Sequence, residues 1–286
     1  MTTIPWTDIT DNIFVVKEGG WYCQKRDPTC NGCYAEAWNK FRGNGLPFAP
    51  LPDGSLPKFK MREKLIDSWA RQTKPRKHFV TSMGDVFGDD VLTGQEFYPR
   101  EWHFQMLDGM ATAPRQTFQI LTTCPHIMLK ATDEWLQVRG LEKLPSNIWC
   151  MVSMGTQRTV DRFMPLLLQV KAEVRGLSIE PLLEPIDLAS WLQSGEIHWA
   201  IIGGQSGGRA KEFHLEWARS ILAQCREAGV AAFFKQAGAK SFENGVRLRL
   251  RDRKGEDLAE LPEDLWVREF PTIQRLSTAS NQRRKG

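Results

Sequence analysis

From residue 78 onward the chain alternates short apolar runs with longer segments of helical periodicity, and few architectures accept that rhythm. The runs fall at His78–Met83, Thr117–Leu121, Ile148–Ser153, Arg175–Ile179, Trp199–Ile202 and Ala231–Phe234. Between them, over Gln95–Ala111, Pro125–Val138, Thr156–Val170, Ile186–Leu192 and Phe213–Ala228, apolar residues recur at helical spacing. In the last of these segments Leu215, Ala218, Ile221, Leu222 and Cys225 share one face, and Gly229 supplies a C-terminal stop. Strands separated by helices cannot pair as hairpins, so they pair in parallel with the helices packed on the sheet. The expected class is therefore α/β, as an open doubly wound sheet or as a partial or full barrel. A short strand around Trp6–Ile9 is expected before the six runs.

The rest of the chain divides by composition. Residues 44–60 hold four prolines and two glycines and read as an irregular excursion. Beyond Lys240 the rhythm changes. Val246-Arg247-Leu248-Arg249-Leu250-Arg251 alternates strictly, Lys254-Gly255 offers a turn, and Leu265–Phe270 is expected to return as a strand. These observations predict a main unit over 1–240, a small β appendage over 241–275 and a disordered basic tail over 276–286. No apolar run approaches the roughly 18 residues of a membrane span, and the N-terminus lacks a secretory pattern. A cytoplasmic protein without a membrane partner is expected. A net charge of +4 permits a nucleic-acid partner without arguing for one. In that compartment thiols stay reduced, so clustered cysteines point to metal rather than to disulfides.

Such a cluster is present. Cys23, Cys30 and Cys33 lie within Cys23-Gln24-Lys25-Arg26-Asp27-Pro28-Thr29-Cys30-Asn31-Gly32-Cys33-Tyr34-Ala35-Glu36, and no fourth cysteine is near. Three thiolates suit a metal site with one coordination position open, such as a cubane iron–sulfur cluster. The alternative is a zinc knuckle completed by Cys124, His126 or His103. Cys150 and Cys225 read as buried, inert thiols.

Ligands of parallel α/β folds collect at the carboxyl ends of the strands. Those ends carry Ser82 to Asp85, Thr122 to Cys124, Ser153 to Gly155, Ser178 to Pro181, Gly203 to Gly208, and Lys235-Gln236. Polar or glycine residues at all six ends predict a polar pocket. Glu180, before Pro181, suits an amino group or ribose hydroxyls, or else an ordinary ion pair. Gly203-Gly204 would let a ligand approach the main chain. Lys235 would point a cation toward the same face, or into solvent.

The three-cysteine loop followed by this array resembles the radical S-adenosylmethionine (radical SAM) superfamily. More closely, the chain is similar to a phage- and prophage-associated family of unassigned function. The shared stretches are Trp6-Thr7, Cys30-Asn31-Gly32-Cys33-Tyr34-Ala35-Glu36, Ser82 through Phe87, Ser178 through Leu183, Gly203 through Gly207, Phe233 through Gln236, and Leu261 through Leu265 with Arg268 through Pro271. The chain departs from that family at Thr123-Cys124, where a Lys-Arg pair is usual. It departs again at Gly155, where an acidic residue is usual, and at Gln205, where glutamate is usual. Its cysteine spacing also differs from the commonest radical SAM loop.

The resemblance implies a partial (β/α) barrel with a [4Fe–4S] cluster on Cys23, Cys30 and Cys33. S-adenosylmethionine would chelate the open iron. Its reductive cleavage, fed by an external flavodoxin- or ferredoxin-like electron donor, would give a 5′-deoxyadenosyl radical that abstracts hydrogen from substrate. Tyr34, Ser153, Glu180, Gly203, Gly204, Gln205 and Ser206 are the expected cofactor contacts. Asp85, Cys124 and Lys235, with Thr122 and Gln236, are expected to face substrate, Cys124 as a candidate hydrogen donor. A modified nucleotide or phage DNA base is the expected substrate, with Arg247, Arg249 and Arg251 placed to meet phosphates. The other class of function is a non-catalytic, zinc-containing nucleic-acid-binding or interaction protein on the same scaffold.

Overall fold

The computed structural model describes residue 2 and residues 4–272, so the expected disordered tail lies outside the described residues. In chain order the elements are β1 (Ile9–Asp11), β2 (Phe14–Val16), α1 (Tyr34–Arg42), β3 (Phe59–Met61), α2 (Glu63–Trp69), β4 (Lys77–Val80), α3 (Arg100–Ala111), β5 (Thr117–Thr122) and α4 (Pro125–Arg139). They continue with β6 (Ile148–Met154), α5 (Gln157–Leu167), β7 (Val174–Ile179), α6 (Ala189–Leu192), β8 (Trp199–Gly203), β9 (Phe213–His214), α7 (Leu215–Ala228), β10 (Ala231–Gln236), β11 (Ser241–Glu243) and β12 (Val246–Arg247).

The main sheet has seven strands in the order β1-β4-β5-β6-β7-β8-β10 and curls into a half-barrel. Every neighbouring pair in it is parallel. The expected α/β partial barrel is thus present, with one strand more than the six apolar runs. The added strand is β1, which pairs Ile9 with His78. It starts later than the expected Trp6–Ile9 because Trp6 is buried on the inner face, with its ring 4.7 Å from Phe79 and 6.1 Å from Trp199.

Period-two alternation sorts the strand residues onto two faces. The outer face carries the large core against the helices, including Trp69, Phe118, Trp135 and Phe234. The inner, concave face is filled by a second cluster of Trp6, Phe79, Trp149, Met151, Val174, Trp199, Ile201 and Phe233. Two residues beyond Met151, Ile201 and Phe233, on that same face, come Ser153, Gly203 and Lys235. The inner face is therefore an apolar floor with a polar layer above it at the carboxyl ends.

Several boundaries moved for identifiable reasons. The helix expected from Gln95 begins at Arg100, because Pro99 disfavours helical geometry at Tyr98. The strand expected to reach Met83 ends at Val80, where Thr81 takes a left-handed φ of 61°. Helix α6 keeps only Ala189–Leu192 of the expected Ile186–Leu192. Pro125 opens α4, and Gly140 and Gly229 end α4 and α7 with φ of 64° and 68°.

The appendage is a small sheet ordered β12-β11-β9. Leu265–Phe270 does not return as a strand beside Val246–Arg251. It lies along the free edge of β10, where Phe234 N–H donates to Val267 O (2.7 Å) and Glu269 N–H donates to Ala232 O (2.8 Å). A long edge of unpaired peptide groups draws this segment more strongly than a two-residue strand does. Among the described residues no helix is long and apolar enough to cross a membrane.

Candidate functional site

A cleft of about 1840 Å³ opens above the carboxyl ends of the half-barrel, between the cysteine loop and the appendage. Cys23, Cys30 and Cys33 line it, together with Tyr34, Asp85, Ser153, Ser178, Glu180, Gln205, Ser206 and Lys235. Residues expected at the site from six separate stretches of the sequence thus share one space. Cys124, Gly203 and Gly204 do not line it.

The cysteine loop is pinned to the barrel by the residues between its sulfurs. Buried Gln24 donates from Nε2 to Asp90 Oδ2 (2.8 Å) and accepts from Val91 N–H at Oε1 (2.8 Å). The Arg26 guanidinium pairs with Asp89 through both its carboxylate and its carbonyl. Asp27 caps the short 3-10 turn Pro28–Cys30 by accepting from Thr29 N–H (2.7 Å). The Gln205 amide donates to Asn31 O, while its Oε1 accepts from Lys211 N–H (3.1 Å). The six-residue stretch between Cys23 and Cys30 therefore carries two anchors. Sequence reasoning missed Gln24, Arg26, Asp89 and Asp90. The only signal was two polar side chains inside an otherwise tight loop.

All three cysteines are free, partly exposed thiols. Burial pushes each of them up, and neighbouring negative charge adds to it: Asp85, Cys30 and Cys33 at Cys23, Asp27 and Cys33 at Cys30, and Glu36 at Cys33. Among the described residues no three His, Cys, Asp or Glu side chains stand close enough to hold one metal ion. A single zinc, with Zn–S bonds of about 2.3 Å, needs its ligands within about 4 Å of one another. A cluster takes each thiolate on a separate iron and accepts a wider spread. The proposed fourth zinc ligands are engaged elsewhere. Cys124 is fully buried, with Sγ 3.5 Å from Asp89 Oδ1. His126 Nε2 is 3.1 Å from Asp89 Oδ2, and buried His103 Nε2 donates to Val86 O (2.9 Å).

Several expected roles change in this setting. Cys124 is enclosed away from the cleft, and burial pushes its thiol up. Asp85 is held by four donors: Thr122 Oγ1 (2.6 Å), Thr123 N–H and Oγ1 (both 2.7 Å), and Phe87 N–H (3.1 Å). It ties β5 to the β4 end, and little of it is left to face a substrate. Lys235 sits in a bulge of β10 and pairs with Glu180 at the end of β7, so neither charge stands alone. Gly204 meets its own chain, since a Cβ there would lie 2.9 Å from Phe213 and collide with Ala237 O. The main chain just past β10 approaches Gly204, and the Glu180 side chain approaches Gly203. Gln236 likewise serves Gly204 O (2.8 Å). Tyr34 donates to Ser82 O (2.6 Å), joining α1 to the β4 end. Ser153 and Ser178 are register partners on β6 and β7 and present two hydroxyls side by side.

Two of the departures also find a place. A Cβ at Gly155 would collide with Pro181 O and lie 2.6 Å from Thr29 Cγ2, so the cysteine loop occupies the room an acidic side chain would need. Gln205 supplies a proton that a glutamate could not. Arg251 turns aside to Glu260 (3.2 Å), and Arg253 lines the cleft with Arg247 and Arg249 in its stead.

No curated protein and no solved structure matches the chain. A family match covers residues 1–271, and the chain belongs to that family, described as protein of unknown function DUF5131.

Proposed function

We propose that the protein is a radical SAM enzyme in which Cys23, Cys30 and Cys33 hold a [4Fe–4S] cluster. One observation carries this reading: Cys23, Cys30 and Cys33 line one cleft with paired charges and hydroxyls at the carboxyl ends of a parallel half-barrel. Soft thiolates select zinc, copper(I) or iron–sulfur centres. The opposite charges of Glu180 and Lys235, about 17% and 15% exposed, suit the amino and carboxylate groups of S-adenosylmethionine. Ser153 and Ser178 suit its ribose, and the Tyr34 ring suits its adenine. At about 1840 Å³ the cleft exceeds the roughly 300–1,000 Å³ of an ordinary ligand pocket, leaving room for cofactor and substrate together. The motifs that resemble phage-associated relatives point the same way.

When bound, the cluster supplies the single electron that cleaves the sulfonium and so makes hydrogen abstraction possible. The chain's own residues do the rest. Gln24, Arg26 and Gln205 hold the cysteine loop over the strand ends, and the tryptophan floor excludes water from below. An external one-electron donor belongs to the same proposal.

Anaerobic reconstitution tests it. About four irons per chain, a brown absorption that bleaches on reduction, and 5′-deoxyadenosine from S-adenosylmethionine are expected. Cys30→Ser should abolish the last. Stoichiometric zinc with no iron uptake would overturn the reading.

A further inference from the structure

We infer that the substrate of this cleft is a single-stranded polynucleotide, held between an aromatic stripe on α1 and an arginine rim on the appendage. What happens to the strand after binding rests on the radical SAM reading; the binding does not.

Helix α1 exposes Tyr34, Trp38 and Phe41 by 46%, 54% and 81%. Their spacing of four and then three residues places them on one helix face, while Ala35 and Asn39 turn inward. Three large aromatics left in water on a nine-residue helix serve no core. Tyr34, whose ring suits the adenine of the cofactor, and Trp38 line the cleft, and Phe41 extends the stripe by one turn, so Trp38 and Phe41 are the rings left for the strand.

Across the cleft stand Arg247, Arg249 and Arg253. The intervening leucines 248 and 250 pack against the main core, which turns the arginines outward. Arg251 pairs with Glu260 and Lys254 with Glu256, whereas these three cations make no ion pair among the described residues. Nearby Asp252 spends its carboxylate on the backbone N–H groups of Lys254, Glu256 and Asp257.

A row of unpaired guanidinium groups facing exposed aromatic rings matches a chain of phosphates bearing flat bases. An acidic peptide would leave the rings unused, and a mononucleotide has too few phosphates for the row. A closed duplex hides its base faces from the rings, so a single strand is required.

The test is fluorescence anisotropy of a labelled single-stranded oligonucleotide with the full chain between 50 and 200 mM salt. DNA and RNA arms identify the sugar, and a duplex of the same sequence and a nucleoside monophosphate serve as competitors. Single strands should bind best, with a log–log salt slope near −2 from about three phosphate contacts. The triple change Arg247→Ala, Arg249→Ala, Arg253→Ala should flatten that slope. Trp38→Ala with Phe41→Ala should weaken binding roughly tenfold or more while keeping the slope. Cys30→Ser should still bind, so this inference and the cluster reading can fail separately. Equal affinity for duplex, or affinity unchanged in both sets of variants, would overturn it. So would self-association of the chain that Phe41→Ala abolishes, because the stripe would then be an interface between copies.

Discussion

A single proton on Gln205 decides how the cysteine loop meets the barrel. Its amide donates to Asn31 O and stands 2.7 Å from where a Cβ on Gly32 would lie. Glutamate has the same length but only accepts, so Gln205→Glu sets a carboxylate against a carbonyl. The side chain is only 8% exposed, and water cannot fully repair that loss. The variant should lose roughly 1–3 kcal/mol in denaturant titration and release iron faster from the reconstituted protein. Unchanged stability and iron retention would mean that the tether is incidental. Gly155 follows the same logic in reverse, because its missing Cβ is what lets Thr29 sit against the end of β6. Both departures from the resembled family are therefore adjustments to one loop. The sequence shows that these residues differ, but the partner that makes each difference sensible lies more than a hundred positions away.

Helix α3 illustrates how an element sets a titration. His103 is fully buried and donates from Nε2 to Val86 O, while Nδ1 is enclosed without a partner. Burial pushes its pKa down from 6.5 to about 4. Between those values the unfolded chain takes up a proton that the folded chain refuses, so this group makes stability rise with pH across that window. The contribution is about 3 kcal/mol, present in full above pH 6.5 and gone near pH 4. His103→Gln, which keeps a donor for Val86, should show a shallower loss between unfolding titrations at pH 7 and pH 4.5. Parallel curves for the two proteins would contradict this. The edge of β10 yields a second expectation at this scale. The segment at Val267–Glu269 covers that edge, and Trp199 Nε1–H donates to Glu269 O (2.9 Å). A chain cut at residue 262 should expose the edge and aggregate, as light scattering would show. Apolar periodicity located the strands and helices well. It could not distinguish a return strand from an edge strap, because pairing depends on which peptide groups elsewhere are left open.

At the scale of the whole molecule, alternation carried most of the information. On β6, β8 and β10 the residue two beyond the last inner apolar side chain is polar or glycine, which gathers Ser153, Gly203 and Lys235 at one end, and on β7 Ser178 follows Gly176 on the same face. Which of them face outward was not legible, since the Lys235–Glu180 pair and the four donors on Asp85 are cross-strand choices. The same layering predicts how the reconstituted protein would behave on losing the proposed cluster. The large core of buried side chains against the helices contains none of Cys23, Cys30 and Cys33. Cys23 and Cys33 instead pack beside a small group, Ala35, Phe48 and Met83, at the rim. Gln24, Arg26 and Gln205 hold the loop through contacts that need no metal. Stripping the reconstituted protein with a chelator should therefore leave its helical circular dichroism and a cooperative thermal transition intact. The midpoint should fall by only a few degrees, because a ligand bound to the native state alone adds stability by mass action. Small metal domains behave oppositely, folding only when loaded. Collapse of the stripped chain to an unfolded spectrum would show that the cysteine loop organises the barrel, and not the barrel the loop.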